Sequence, residues 1–169
     1  MTQALSQQLS QHLAQKVLHF APQVSRRSLS VMPETLKIAA INTLLNRVLA
    51  EQLQSGELDF LKHKWVGICV DDIGLRFEVG IAQQLQVRSF TQPDVTLSAN
   101  MPELILVAAG IEDPDTLFFQ RKLRIEGDTE LGLQVKNLLL SIELDNLPKP
   151  AQIGIEQLAK MLHMLRPSE

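Results

Sequence analysis

Between Glu57 and Asn100 apolar residues recur at every second position, and outside that stretch they recur at every third or fourth. A strand turns successive side chains to opposite faces, whereas a helix returns to the same face after about 3.6 residues. The chain therefore predicts a sheet built mostly from its middle, with helices on either side in sequence.

The strands follow from the details of the alternation. Trp65 to Val70 is apolar on both faces and predicts a central strand. Asp71, Asp72 and Gly74 mark a turn. Leu75, Phe77 and Val79 alternate with Arg76 and Glu78; Leu85 and Val87 alternate with Gln84, Gln86 and Arg88; Val95, Leu97 and Ala99 alternate with Asp94, Thr96 and Ser98. With Leu58 and Phe60 read as a further short strand, this is a meander of about four or five antiparallel strands. Leu123 to Glu126, followed by Gly127, predicts one more strand later in the chain.

Helical spacing governs the rest. Leu5, Leu9, Leu13, Val17 and Phe20 form a narrow stripe that ends at Pro22, and Ala21 to Met32 reads as a loop. Pro33 opens a second helix whose stripe is Ile41, Leu44, Leu45, Val48, Leu49 and Leu53, closed by Gly56. Asn100 and Glu103 have the spacing of a capping box ahead of a helix over Leu104 to Ala109, which Gly110 ends. Asp113 and Pro114 start a short helix through Gln120, and Asp128 caps a longer one striped by Leu131, Val135, Leu138, Leu139 and Ile142. Leu147 to Pro150 breaks it, and Ile155, Leu158, Met161, Leu162 and Leu165 mark a last helix. The order implies an α+β layer of a twisted sheet and helices. It divides into an amino-terminal helix and loop (1–32), a central domain (33–147) and a carboxyl-terminal helix (148–169).

Composition removes several classes of function. A net charge of -3 opposes non-specific binding to nucleic acid, and aromatics at 4% leave little for stacking bases. No apolar run approaches the roughly 20 residues needed to span a bilayer. Met1 to Ser10 is polar, with no basic stretch leading into an apolar core, and the single cysteine, Cys69, lies in an apolar run. A reducing, cytoplasmic setting and a buried thiol are expected.

Catalytic patterns are equally sparse. His12, His19, His63 and His163 form no metal-ligand spacing, so no metal and no cofactor are expected. Gly127 and Gly132 have the glycine spacing of a phosphate loop, but Leu133 stands where that loop needs lysine. Gly127 reads better as a tight turn and Gly132 as a close packing point. Asp71-Asp72 reads as a solvated turn. Phe118 and Phe119 are adjacent on a helix and point about 100° apart. Both are core, or one faces the core and the other lines a cavity.

The stretch Asp94 to Asn137, DVTLSANMPELILVAAGIEDPDTLFFQRKLRIEGDTELGLQVKN, resembles the sterol carrier protein type two family. The matching frame is Asp94-Val95-Thr96, a helix ending at Gly110, the segment Asp113 to Gln120, the strand from Lys122 to Asp128, and an apolar helix from Leu131. A narrower likeness, which includes GELDFLKHKW at Gly56 to Trp65, is to members that serve ubiquinone biosynthesis without oxygen. The resemblance implies an apolar tunnel between sheet and helices that holds lipid without a catalytic residue. It implies polyprenylated quinone precursors or phospholipid as ligands. UbiU and UbiV, and other ubiquinone-biosynthesis proteins, are the implied protein partners.

Candidate tunnel-lining residues are Phe77, Leu104, Val107, Phe118, Phe119, Leu131, Val135 and Leu138. Cores and lipid cavities draw on the same residue types, so each of these equally suits solid core. The first helix is a candidate contact for a membrane, for a second copy or a partner protein, or for its own domain. On the residues alone a general lipid or fatty-acyl carrier, a filled scaffold and an enzyme on a lipid-like substrate remain open.

Overall fold

In the computed structural model, residues 31–142 and 149–165 are described. The expected first helix and most of the loop after it lie outside these residues, as does Leu147-Pro148 of the expected break. The described elements are α1 (Glu34–Val48), α2 (Ala50–Ser55), β1 (Trp65–Val70), β2 (Leu75–Ile81), β3 (Leu85–Ser89), β4 (Val95–Ala99), α3 (Met101–Ala108), α4 (Pro114–Phe119), β5 (Leu123–Gly127), α5 (Thr129–Ser141) and α6 (Lys149–Leu165).

The five strands form one sheet in the order β3-β2-β1-β4-β5, so β1 is the central strand, as its two-sided apolar pattern predicts. The sheet is mixed, which corrects the expected antiparallel meander: β4 pairs with β1, and the two run parallel. Alternation fixes which face a side chain takes but not which strand lies alongside. Residues 90–94 carry the chain back across the sheet instead of turning a hairpin, and Asp94 N–H donates to the Trp65 carbonyl at 2.8 Å on arrival. Gly67 makes room for the crossing: a Cβ there would come 2.7 Å from both Phe90 and Pro93.

Beneath the crossing, the Glu78 side chain has no solvent exposure. Its carboxylate accepts from Arg88 Nε at 2.7 Å and from the Thr91 backbone N–H at 2.5 Å. Burial of a charge is tolerable only with such pairing. The guanidinium of Arg88 also lies over Trp65, and that of Arg76 over Phe90.

Register assigns the two faces. Phe77, Ile68, Leu97 and Ile125 lie in one row across β2, β1, β4 and β5; the adjacent row, on the other face, is Arg76, Cys69, Ser98 and Arg124. The apolar rows meet the helices, and the polar rows carry the crossing.

Two further expectations are corrected. Leu58 and Phe60 belong to no strand; a three-ten turn spans Asp59–Leu61. Leu58 and Leu61 are the buried pair, at a spacing of three, so the period here is helical. Asn100 makes no side-chain cap for α3. Asp72 Oδ1 accepts from Met101 N–H at 2.9 Å, so the β1–β2 turn supplies the cap from a distance. The helix expected from Pro33 to Gly56 is interrupted at Leu49, between α1 and α2.

Caps at the other two starts agree with the sequence. Asp113 accepts from Thr116 N–H at 3.0 Å, and Asp128 from Leu131 N–H at 3.1 Å. Leu106 of α3 and Ala159 of α6 are fully buried against each other's surroundings, with Leu162 beside them. This small cluster seats α6 on α3.

Candidate functional site

The helix-facing rows of the sheet and the stripes of three helical segments do not close completely. They leave a partly open cavity of about 190 Å³. Ile68, Phe77, Val79 and Leu97 form its floor. Leu45 and Leu49 enter from the α1–α2 joint, Leu104 from α3, and Val135, Leu138, Leu139 and Ile142 from α5. Every lining residue but Cys69 carries a hydrocarbon side chain, and no polar surface faces the space.

The position of α5 is set locally. Leu131 N–H, and Lys64 beside it, hold the Asp128 carboxyl below its ordinary value of 3.8, against a smaller opposing effect of desolvation. Gly132 lets the helix close on β5, because a Cβ there would overlap Ile125. Gln52, 95% buried, donates from Nε2 to the Ser141 carbonyl at 3.1 Å and ties α2 to the end of α5.

Such a space has a definite energy. A water inside it would find none of the two to four polar partners it needs. A sealed void of this volume forfeits contacts worth about 24 cal/mol per Å³, so about 4–5 kcal/mol is the upper bound for this partly open one. Even part of that is appreciable against the roughly 5–15 kcal/mol that holds a domain together. An apolar occupant restores those contacts. A void of about 150 Å³ accepts benzene, so this one accommodates roughly one or two prenyl units or a short run of methylenes.

Of the residues expected to line such a space, Phe77, Leu104, Val135 and Leu138 surround the cavity. Val107 lies in an open groove outside it, together with Leu139 and Ile142, which touch both. Leu131 is buried in the core. Phe118 is 39% exposed and Phe119 is 81% exposed, and the two rings meet edge to face at 6.0 Å, so neither ring faces inward. The reading missed twelve lining residues, Leu45, Leu49, Ile68, Val79 and Leu97 among them. The signal of these five was present in the stripe of the second helix and in the strand alternation, with the same parity as Phe77.

Polar chemistry does not converge on this space. Among the described residues no three of His, Cys, Asp and Glu are grouped to hold a metal ion. His63 and His163 are exposed. Cys69 is buried, and Arg76 Nε donates to its sulfur at 3.4 Å. No helix among the described residues is long and apolar enough to cross a membrane.

A mixed five-stranded sheet with helices over an apolar cavity defines an α+β domain, and the chain belongs to the SCP-2 sterol transfer family, whose model matches residues 41–140. Among characterised proteins, it is 40% identical over 148 residues to the ubiquinone biosynthesis accessory factor UbiT of Escherichia coli strain K12, covering 87% of this chain and 85% of that protein. In fold it is similar to the UbiJ-SCP2 ubiquinone synthesis protein, with a TM-score of 0.53 at 20% identity over 65% of this chain and 94% of that one. The sterol carrier protein domain 2 of Helicoverpa armigera matches with a TM-score of 0.45 at 19% identity, over 62% of this chain and 87% of that one.

Proposed function

We propose that the chain is a non-catalytic, lipid-binding accessory factor of oxygen-independent ubiquinone biosynthesis. It holds the apolar tail of a prenylated intermediate while other proteins of the pathway, UbiU and UbiV among them, act on the head. The observation that carries this reading is the wholly apolar cavity of about 190 Å³ between the sheet and α5. The 40% identity to a protein named for ubiquinone biosynthesis supports the choice of pathway.

The chemistry is burial. Removing a methylene from water is worth about 0.8 kcal/mol, so one five-carbon prenyl unit contributes roughly 4 kcal/mol before ordering costs. The cavity is smaller than a typical ligand pocket of about 300–1,000 Å³. It takes the first units of a tail, and the rest stays in a membrane or a partner. The protein works in the cytoplasm or on the inner face of the membrane.

The test is mass spectrometry of organic extracts from protein purified out of cells grown without oxygen. Prenylated phenols or quinones at near-stoichiometric amounts are expected. Extracts holding only phospholipid or fatty acid make the chain a general lipid carrier. Empty extracts, together with no uptake of added prenyl phenol, overturn the reading.

A further inference from the structure

The short helix α4 ends in an exposed corner that the cavity does not explain. Phe119 is 81% exposed and Phe118 is 39% exposed. Gln120, Arg121, Lys122 and Arg124 follow them, all at the surface. Arg124 pairs with Asp71, whereas Arg121 and Lys122 form no ion pair with any described residue. Glu126 is the one carboxylate in the groove beside the two rings.

The backbone of the corner is unusual too. Arg121 has φ 59°, the left-handed conformation. Arg121 N–H donates to the Phe118 carbonyl, and Lys122 N–H to that of Leu117. This is a helix stop that glycine normally occupies, because a Cβ is disfavoured there. An arginine held in that conformation places a cation beside the exposed rings.

We infer that the corner Phe118–Lys122 lays the protein on an anionic lipid bilayer. The rings enter the boundary between headgroups and acyl chains, and Arg121 and Lys122 meet lipid phosphates. Two aromatic rings bury at most about 150–250 Å² each. A stable protein interface takes about 800 Å² from each partner, so the two rings are small for a protein partner, whereas aromatic rings flanked by cations suit the headgroup level of a bilayer. The chain's net charge of -3 gives it no general attraction to an anionic surface, so a local basic corner also orients it. Leu123, next in the chain, lines both the groove beside the rings and the internal cavity. Docking here sets the cavity wall against the membrane. Exchange of lipid through that wall rests on the carrier reading; the docking does not.

The test is co-sedimentation of the full chain with vesicles of phosphatidylcholine alone or with added phosphatidylglycerol. The wild type sediments with the anionic vesicles, and added salt weakens the binding. Lys122→Gln weakens partitioning about fivefold, the effect of one cation near such a surface. Phe119→Ser weakens it about tenfold. Arg121→Gly weakens it about fivefold while holding or raising Tm, since glycine suits the conformation, so misfolding cannot mimic the result. Vesicle binding unchanged in all three variants overturns the inference, as does a wild type that binds no vesicle. Lipid content of each variant is measured alongside. Corner-dependent binding by a protein that carries no lipid keeps the docking and defeats the carrier reading.

Discussion

Gly67 lies directly beneath Pro93, and a Cβ on Gly67 would stand 2.7 Å from the proline Cγ. The mixed sheet depends on that clearance, because residues 90–94 must cross the face of β1 to set β4 beside it. Gly67→Ala pushes the crossing outward and costs about 1–3 kcal/mol, the usual range for overpacking. Gly154 of α6 is a control, since a Cβ there meets nothing within 4 Å. Gly154→Ala gains up to about 1 kcal/mol from helix propensity. Urea midpoints of the two variants move in opposite directions.

Glu78 anchors the same crossing from below. Glu78→Ala leaves the Thr91 N–H without its acceptor and Arg88, which is partly solvated, without its partner, and costs about 1–3 kcal/mol. Limited proteolysis after Ser89 speeds up in this variant, because the crossing loses its anchor. Cleavage at the wild-type rate would remove this role for Glu78.

Acid should weaken the start of α5 in one direction only. The Asp128 carboxyl titrates below its ordinary value of 3.8 because it accepts from Leu131 N–H and faces Lys64. A lowered folded-state value means that the charged form favours the fold. Its contribution is complete well above 3.8 and is lost as pH falls through the lowered value. Thermal melts of the wild type and Asp128→Asn therefore differ most near neutral pH and converge in strong acid. A gap that widened on acidification would reverse the assigned sign.

Much of this fold was legible because amphipathic periods are local. The faces of β1, β2 and β4, the starts at Asp113 and Asp128, and the α5 stripe all follow from spacing and capping chemistry. The strand order did not, because a five-residue crossing over Gly67 carries the same turn signals as a hairpin. The cap of α3 was missed for a related reason: Asp72 is 29 residues away in sequence from Met101. At the site, Val135 and Leu138 were reachable from the helical stripe. Sequence alone could not separate Leu131, which packs solidly, from Val135 one turn later. Phe118 and Phe119 carry the composition of a core but stand at the surface, and only the local shape of α4 decides that.

The cavity itself is tested most directly by filling it. Val135 lines the space, whereas Leu133, two residues earlier, is 49% exposed on the opposite side of α5. Both are replaced by tryptophan, and displacement of a fluorescent prenyl or acyl probe is measured on variants whose melts and circular dichroism match the wild type. Val135→Trp abolishes probe uptake, and Leu133→Trp leaves it unchanged. Equal uptake by the two folded variants would show that the hydrocarbon does not lie between the sheet and α5.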